Sequence, residues 1–273
     1  MTGKGIGRRE FLAGMSACAA GLATSNAERL DRFRDGKALI KRLATFCCDV
    51  TPPLGTPVYS GYKPTEIIET PLLAKGLILD DGVERYVLCC IDWCEILNKT
   101  YTLYRQKIAD AVGTDIAYVA VQTVHQHTAP MVDIAAAKML EAEKNPPPHT
   151  PSSYMEECAD RIAQAAGRAV LDLVPFNQIG TGQAKVERVA SNRRVSIGDG
   201  KVGFRASSCK DPKLIEMPEG LIDPMVKTVT FACDGKPLVR MHYYATHPQS
   251  FYGDPRVSYD YPGMAREKLQ KDE

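Results

Sequence analysis

Two turn signatures, each flanked by apolar β-prone runs, constrain the fold of this chain more than any other feature of its sequence. They are Asp81-Gly82 and Asp234-Gly235. An Asp-Gly pair readily adopts the left-handed backbone that a tight hairpin needs, so each signature predicts two antiparallel strands joined by a short turn. The predicted strands are residues 74–80 and 84–93 around the first turn, and residues 226–233 and 237–245 around the second.

Helical patterns lie between these strands. Residues 99–112 show helical spacing of apolar side chains, and Ser153-x-x-Glu156 matches a capping box that opens a helix running to about Leu173. Residues 116–124 predict a buried strand, and further strands are expected near residues 177–190. Because strands and helices alternate irregularly and several turns are hairpins, the sequence predicts an α/β fold of mixed sheets with flanking helices. The apolar face of the capped helix comprises Met155, Ala159, Ile162, Ala166, Val170 and Leu173.

The N-terminus carries a pattern typical of an export signal. Arg8-Arg9-Glu10-Phe11-Leu12 precede a stretch of small residues at 13–23, which is too short to remain as a membrane anchor. The paired arginines predict a twin-arginine-type signal over residues 1–27 and a periplasmic or secreted protein. The alternative is an amphipathic helix of a cytosolic protein. Residues 28–43 are predicted to form a short charged helix or a linker.

Charge and cysteine usage narrow the classes of function. With 34 basic and 33 acidic residues the net charge is +1, which gives no long-range field to hold nucleic acid or an anionic membrane. We therefore expect no nucleic-acid partner. The short apolar stretch at residues 13–23 separately predicts no transmembrane segment in the mature chain. The nine cysteines lack the spaced pairs of a zinc ribbon. Cys89 and Cys90 lie in an apolar run, which favours small thiols packed in the core.

Four of the five histidines fall in two groups at the ends of predicted strands. His125 and His127 follow the strand at 116–124, where alternate residues point the same way and can converge on one site. His242 and His247 form the second group. A catalytic zinc takes three protein ligands and keeps an open position, where it polarises a carbonyl and lowers the pKa of a water. The alternative is that hydrogen bonds in a loop satisfy each histidine.

Five segments, in order along the chain, carry a family resemblance. They are Asp49-Val50-Thr51-Pro52-Pro53-Leu54-Gly55, His125-Gln126-His127-Thr128-Ala129-Pro130, Asn192-Arg193, Glu219-Gly220-Leu221-Ile222-Asp223-Pro224, and Ala245-Thr246-His247-Pro248 followed by Ser258-Tyr259-Asp260-Tyr261-Pro262-Gly263. The ordered set resembles the neutral/alkaline non-lysosomal ceramidase family, whose Asp-Ile-Thr-Pro-Pro and Thr-His-Thr-His-Ser-Gly-Pro correspond to the first two segments. The resemblance implies that residues 28–273 are the N-terminal portion of a ceramidase-like catalytic domain.

The resemblance also implies roles for individual residues. His125 and His247 would be zinc ligands, with His127 beside the metal as a catalytic or substrate-contacting residue. Arg193 would hold the substrate's oxygen or the developing oxyanion, a role that suits a guanidinium group. The alternative for Arg193 is an ordinary arginine in a surface loop. Asp260 is expected to be a structural acid.

Two departures from the family pattern are visible in the sequence. Arg194 replaces a serine, and Pro248 follows the second histidine in place of a small polar residue. The family's other zinc ligands, a glutamate and a tyrosine, come from a later region, as does the serine that acts on the amide. The catalytic domain is therefore expected to be truncated, and this chain to be inactive by itself.

The implied activity is zinc-dependent hydrolysis of an amide (N-acyl) bond in a ceramide-like lipid, so the resemblance implies a small-molecule or lipid substrate. One alternative is a non-catalytic exported binding domain on the same fold. Another is a metal hydrolase of a different substrate, such as a glycoconjugate or an ester. The sequence leaves these alternatives open.

Overall fold

The computed structural model describes residues 41–59, 62–207 and 209–272. The predicted export signal at residues 1–27, and residues 28–40 after it, lie outside the described residues. The helix-or-linker prediction is wrong at its end, because Arg42 and Leu43 begin the first strand. None of the described helices combines the length and apolar character that crossing a bilayer requires.

Strands and helices alternate along the described chain. The strands are β1 (Arg42–Asp49), β2 (Ile67–Ile68), β3 (Leu73–Asp80), β4 (Arg85–Ile91), β5 (Glu95–Ile96), β6 (Val119–Thr123), β7 (Met131–Val132), β8 (Val174–Pro175), β9 (Gln178–Lys185), β10 (Arg194–Ser196), β11 (Val202–Phe204), β12 (Met225–Cys233), β13 (Lys236–Tyr243) and β14 (Arg256–Val257). The helices are α1 (Asn98–Val112), α2 (Ile134–Glu141), α3 (Ser152–Ala169), α4 (Pro212–Ile215) and α5 (Asp260–Asp272). This is the mixed α/β architecture that the sequence predicts.

The central sheet has five strands in the order β6-β4-β3-β1-β8. Its neighbours are antiparallel except β4 and β6, which run parallel. The predicted hairpin between β3 and β4 is confirmed, with Asp80 opposite Arg85. Gly82 has φ 86° in the turn, and its N–H donates to Asp80 Oδ1 at 2.9 Å. A residue without a side chain suits this backbone, which explains the Asp-Gly signature.

A second sheet has the order β13-β12-β9. The predicted hairpin between β12 and β13 is confirmed, and Asp234 and Gly235 in its turn have φ values of 50° and 80°. Two successive left-handed residues are typical of the type I′ turn, whose twist matches that of the strands. Residues 177–190 are predicted as strand, and β9 occupies part of that range.

Helices α1 and α3 cover one face of the central sheet. Ile108 of α1 and Ile162 of α3 are fully buried in the same apolar cluster as the sheet residues Ile78 and Val87. The apolar face predicted for α3 is confirmed, since Met155, Ala159, Ile162 and Ala166 are buried and Val170 and Leu173 pack against the cluster. Burial of this face, more than helix propensity, stabilises α3.

The capping box predicted at Ser153 and Glu156 is wrong. Helix α3 begins at Ser152 after Pro151, and no side-chain hydrogen bond from the capping residue is present. Instead Glu141, at the end of α2, accepts hydrogen bonds from Ser152 N and Ser152 Oγ, each at 2.7 Å. A side chain distant in sequence therefore satisfies the helix start, and a local pattern cannot show this.

The opposite face of the central sheet carries a smaller cluster. Leu43 and Leu77 pack there against Phe231 of β12. Helix α5 is tied to the central sheet by Arg266, whose guanidinium donates to both carboxylate oxygens of the buried Asp92 at 2.7 and 2.6 Å. This pair fixes the helix at the edge where β4 ends.

Candidate metal centre

The candidate site lies at the carboxyl ends of β4 and β6. β4 is followed by Asp92-Trp93-Cys94, and β6 by a loop at residues 124–130. Two backbone hydrogen bonds join the segments: His125 N donates to Trp93 O and Cys94 N donates to Pro130 O, both at 3.0 Å. Because β4 and β6 are parallel, both segments emerge at the same edge, where α/β sheets bind ligands.

His125 has a left-handed backbone with φ 71°. The prediction that a strand at residues 116–124 points His125 and His127 the same way is wrong, because residues 116–118 form a 3₁₀ turn and β6 ends at Thr123. A left-handed conformation at a residue other than glycine costs about 1–3 kcal/mol, so the surrounding bonds must hold it. The two histidines converge through this turned loop, not through strand alternation.

Three imidazole rings meet at this edge. Ring centroids lie 5.2 Å apart for His125 and His127, 4.9 Å for His125 and His247, and 5.5 Å for His127 and His247. The exposed His247 belongs to the loop after β13, and His127 N donates to Pro248 O at 3.1 Å. This bond ties the loop that carries His247 to the loop that carries the other two histidines.

His127 is the most buried of the three, with 5% of its surface exposed. Neither of its ring nitrogens has a hydrogen-bond partner among the described residues. Burial lowers the pKa of His127 to about 4, assisted by the charges of His125, His247 and Arg193. Its imidazole is therefore neutral near pH 7, and one ring nitrogen keeps a lone pair that could bind a metal or a proton.

Arg193 lies half-buried in the loop before β10. After burial itself, its positive charge is the largest factor that lowers the pKa of His247, and it acts on His127 as well. Its guanidinium is therefore close enough to influence both histidines. A cation here suits an oxygen atom that gains negative charge.

Two other residues considered from the sequence are not members of the ring cluster, although the charge of Asp260 acts on His127 and raises its pKa against the larger effect of burial. His242 is on β13 with Nδ1 2.8 Å from Thr228 Oγ1. Asp260 is fully buried at the start of α5, and its Oδ2 accepts a hydrogen bond from Ser250 N at 2.8 Å. Asp260 thereby anchors the loop after His247.

Cys94 and Glu95 lie beside His125, although no sequence motif indicated them. Cys94 Sγ is 3.8 Å from His125 Nδ1, and Glu95 Oε1 is 3.9 Å from the same nitrogen. Burial, together with the Glu95 carboxylate, raises the pKa of the Cys94 thiol to about 12. Without a metal it is a neutral thiol and a poor nucleophile. Their position directly after an apolar strand was the available signal.

These donors fit a metal ion. Cys94, His125 and His127 each offer a ligand atom, and the three atoms lie within 4.8 Å of one another. Sulfur and imidazole nitrogen are the donors that zinc prefers. The unpartnered nitrogens of the buried His127 provide the structural reason to expect an ion, since buried polar atoms are normally satisfied.

Aromatic rings line the same site. The Tyr59 ring lies 4.7 Å from the His127 ring, and the Tyr252 ring 5.6 Å from it. Tyr62 packs edge-on against Tyr59 at 5.7 Å and is largely exposed. Tyrosine rings of this kind offer apolar area with a polar tip, which suits an amphipathic ligand.

Fold and site together define a mixed α/β protein with a candidate metal centre at the edge of its central sheet. The chain is similar to a solved structure described as ceramidase complexed with C2, with TM-score 0.60, 17% identity, and coverage of 86% of this chain and 36% of that one. It is also similar to the neutral ceramidase from Pseudomonas aeruginosa, with TM-score 0.64, 17% identity and the same coverages of 86% and 36%.

The likeness to these ceramidases concerns the fold. The chain spans 36% of the length of each of these solved chains. No protein-family profile matches the sequence, and no curated protein matches it. Several sheets with flanking helices are therefore shared with part of a bacterial neutral ceramidase, as the sequence predicts.

Proposed function

We propose that this protein is a zinc-dependent hydrolase of the neutral ceramidase type, which cleaves the amide (N-acyl) bond of a ceramide-like lipid. The observation that carries the proposal is the meeting of His125, His127 and His247 at ring separations of 4.9–5.5 Å. It stands in a fold that is similar to part of two ceramidases. A bound zinc would supply a Lewis acid for the amide carbonyl.

The residues of this chain have separate tasks in the proposed reaction. His125 and His247 would hold the ion. His127 is neutral near pH 7, because its pKa is about 4, so it accepts a hydrogen bond from the substrate or from the attacking group. Arg193 places a positive charge beside His127 and His247, where it would stabilise negative charge that develops on the carbonyl oxygen.

Three tyrosines beside the histidine cluster support an amphipathic lipid as the substrate. Tyr59, Tyr62 and Tyr252 form an aromatic rim next to His127, which would hold the amphipathic part of an N-acyl lipid.

The twin arginines Arg8 and Arg9 favour export to the periplasm or beyond. Fractionation of cells that express the protein, with an R8K/R9K variant as control, measures this export. Retention of the unaltered protein in the cytoplasm would refute it.

The test of function is release of fatty acid from N-acylsphingosine by the protein as its gene encodes it. We expect activity that a chelator abolishes and zinc restores, and that His125→Ala and His247→Ala each remove. His242→Ala, which alters a histidine bonded to Thr228 on β13, serves as the matched control and retains activity. Activity that persists in both cluster variants would refute the proposal.

A parallel panel of substrates separates the alternatives. An ester and a glycoconjugate with the same acyl chain are compared with the amide. Hydrolysis of either one without hydrolysis of the amide would indicate a different substrate class. Lipid binding without hydrolysis of any of the three would indicate a binding domain.

A further inference from the structure

One buried arginine binds the backbone of the insert at residues 186–224, which joins β9 to β12. Arg205 directly follows β11 and keeps 7% of its surface exposed. Its two Nη atoms donate hydrogen bonds to five backbone carbonyl oxygens. The acceptors are Leu214 O at 3.1 Å, Met217 O at 2.7 Å, Asn192 O at 3.2 Å, Pro218 O at 3.0 Å and Glu219 O at 3.4 Å.

These carbonyls belong to two separate parts of the insert. Asn192 lies before β10, whereas residues 214–219 lie at the end of α4 and in the turn after it. A buried charge is costly unless it is hydrogen-bonded, and the carbonyl dipoles supply those bonds here. A guanidinium group presents its donors in a fixed planar fork, which an ammonium group cannot reproduce. Arg205 therefore cross-links the two parts of the insert in a way that requires an arginine.

The same side chain and its own backbone fix the conformation of Arg193. Arg205 N donates to Arg193 O at 2.7 Å, and Arg205 Nη2 donates to Asn192 O. Asn192 is held a second time, because its N donates to Glu219 O at 2.7 Å and its Nδ2 to Leu221 O at 3.0 Å. Both peptide groups that flank the α-carbon of Arg193 are thus bound by one residue, which restricts its two backbone torsions.

The segment after Arg205 also reaches the loop that carries His247. Gln249, two residues after His247, donates from Nε2 to Ser207 Oγ. Ser207 in turn lies two residues after Arg205. Arg205 is therefore placed between the backbone of Arg193 on one side and the histidine loop on the other, without itself belonging to the histidine cluster.

We propose that Arg205 is a positioning residue for Arg193: it holds the peptide groups on both sides of Arg193, so that the Arg193 guanidinium stays directed at the substrate's oxygen. This inference rests on the proposed function, in which Arg193 stabilises negative charge on that oxygen. Such a group must be preorganised before charge develops, and a displacement of about 1 Å can cost about 100-fold in rate.

The first test is a double-mutant cycle on kcat with N-acylsphingosine, using the protein as its gene encodes it. Arg205→Lys keeps the charge but loses the fork, so kcat should fall about 10–100-fold with little change in KM. Arg193→Lys should have a similar effect. Because Arg205 acts through Arg193, adding Arg205→Lys to Arg193→Lys should cause little further loss. A residue that only stabilises the fold would lower kcat in both backgrounds.

The matched control is Arg188→Lys, which alters an exposed arginine of the same insert and should keep the full rate. Circular dichroism checks the fold of each variant. Arg205→Gln, which buries no charge, takes the place of Arg205→Lys if the lysine variant does not fold. Unchanged kcat in the folded Arg205 variant would overturn the inference, and so would losses that multiply in full when the two changes are combined.

The second test needs no hydrolysis. Phenylglyoxal modifies accessible arginines, and mass spectrometry of peptides measures the half-buried Arg193 against its exposed neighbour Arg194. In Arg205→Lys the modification of Arg193 should become faster relative to Arg194. Hydrogen exchange at the Asn192 amide should also become faster, while exchange in β4 stays the same. Unchanged reactivity and exchange would overturn the inference.

The two tests let this inference and the proposed function fail separately. If no form of the protein hydrolyses the amide but Arg205→Lys releases Arg193, the hold on Arg193 is supported and the proposed function fails. If the amide is hydrolysed and Arg205→Lys keeps the full kcat, the proposed function stands and the inference fails.

Discussion

The central sheet and the three-stranded sheet β13-β12-β9 are built from similar hairpins but differ in how they are covered. Helices α1 and α3 bury one face of the central sheet, where Ile108 and Ile162 are fully buried. In the second sheet every residue of β9 is exposed, and Ile179 keeps 61% of its surface in contact with solvent. β9 is therefore held by its backbone pairing with β12, whereas the covering helices give the central sheet its larger core.

This difference explains where the candidate metal centre lies. The loops that carry His125 and Cys94 leave the well-packed sheet, so a rigid core sets their spacing. His247 comes from the less covered hairpin and is positioned by the bond between His127 N and Pro248 O. The cluster thus joins the helix-covered central sheet to the less covered second sheet, and the four predictions that follow compare these two regions.

The largest difference in stability between the two sheets should appear when a buried and an exposed isoleucine are each replaced by alanine. Ile108→Ala removes a fully buried side chain between α1 and the sheet and should lower the free energy of unfolding by about 2–5 kcal/mol, the range for such cavities. Ile179→Ala, at a 61% exposed position of β9, should change it by less than about 0.5 kcal/mol. Urea unfolding measures both. A comparable loss in the Ile179 variant would show that β9 is covered in solution.

A smaller difference in stability is expected between the loss of a buried ion pair and the loss of an exposed one. Asp92→Asn breaks the buried contact with Arg266 and should cost about 1.5–3 kcal/mol, as expected for a hydrogen-bonded charged group. Glu187→Gln breaks the exposed pair with Lys185, 3.0 Å long, at the end of β9, and should cost less than about 0.5 kcal/mol. Thermal unfolding of both variants tests this. Equal melting temperatures would show that the buried pair does not hold α5.

Asp80 and Asp223 should contribute differently to the loss of stability at acid pH. Burial alone raises the pKa of Asp80, but Arg85, Gly82 N and Arg42 outweigh it, so the pKa lies below its usual 3.8. A lowered folded pKa means that Asp80 stabilises the fold at neutral pH and that this contribution is lost as pH falls below about 4. In Asp80→Asn the free energy of unfolding should therefore decrease less between neutral pH and this acid range than it does in the unaltered protein.

The control for Asp80 is Asp223, just before β12. Lys227 lowers the pKa of Asp223, but this pair is exposed to solvent and salt screens it. Asp223→Asn should leave the acid profile close to that of the unaltered protein. Chemical unfolding at a series of pH values provides the comparison, and an unchanged profile in Asp80→Asn would contradict the expected role.

The smallest effect is one of thiol access, with no change in stability. Cys89 is fully buried in the central sheet and burial raises its pKa well above the usual value, whereas Cys233 of β12 is half-buried and Cys47 is exposed. Iodoacetamide should modify Cys47 first, Cys233 more slowly, and Cys89 after unfolding in urea. Mass spectrometry of peptides reads the order. Early labelling of Cys89 would show that the helix-covered face opens readily.

Local structure that depends only on neighbouring residues could be predicted from the sequence. Asp81-Gly82 and Asp234-Gly235 specify their hairpins because both turns need left-handed backbone, which these residues adopt at low cost. The apolar face of α3 is periodic, so it identified the buried side of that helix. The ordered motifs also indicated the ceramidase-like fold and the two loops that carry the histidines.

Contacts between residues distant in sequence could be seen only in the folded chain. Glu141 caps α3 from another helix, so the nearby Ser153 pattern was misleading. Cys94 and Glu95 approach His125 because β4 and β6 run parallel, and no spacing in the sequence encodes that neighbourhood. His247 joins the cluster while His242 pairs with Thr228. Local turns follow from short-range backbone preferences, whereas the ligand set of the site follows from chain packing.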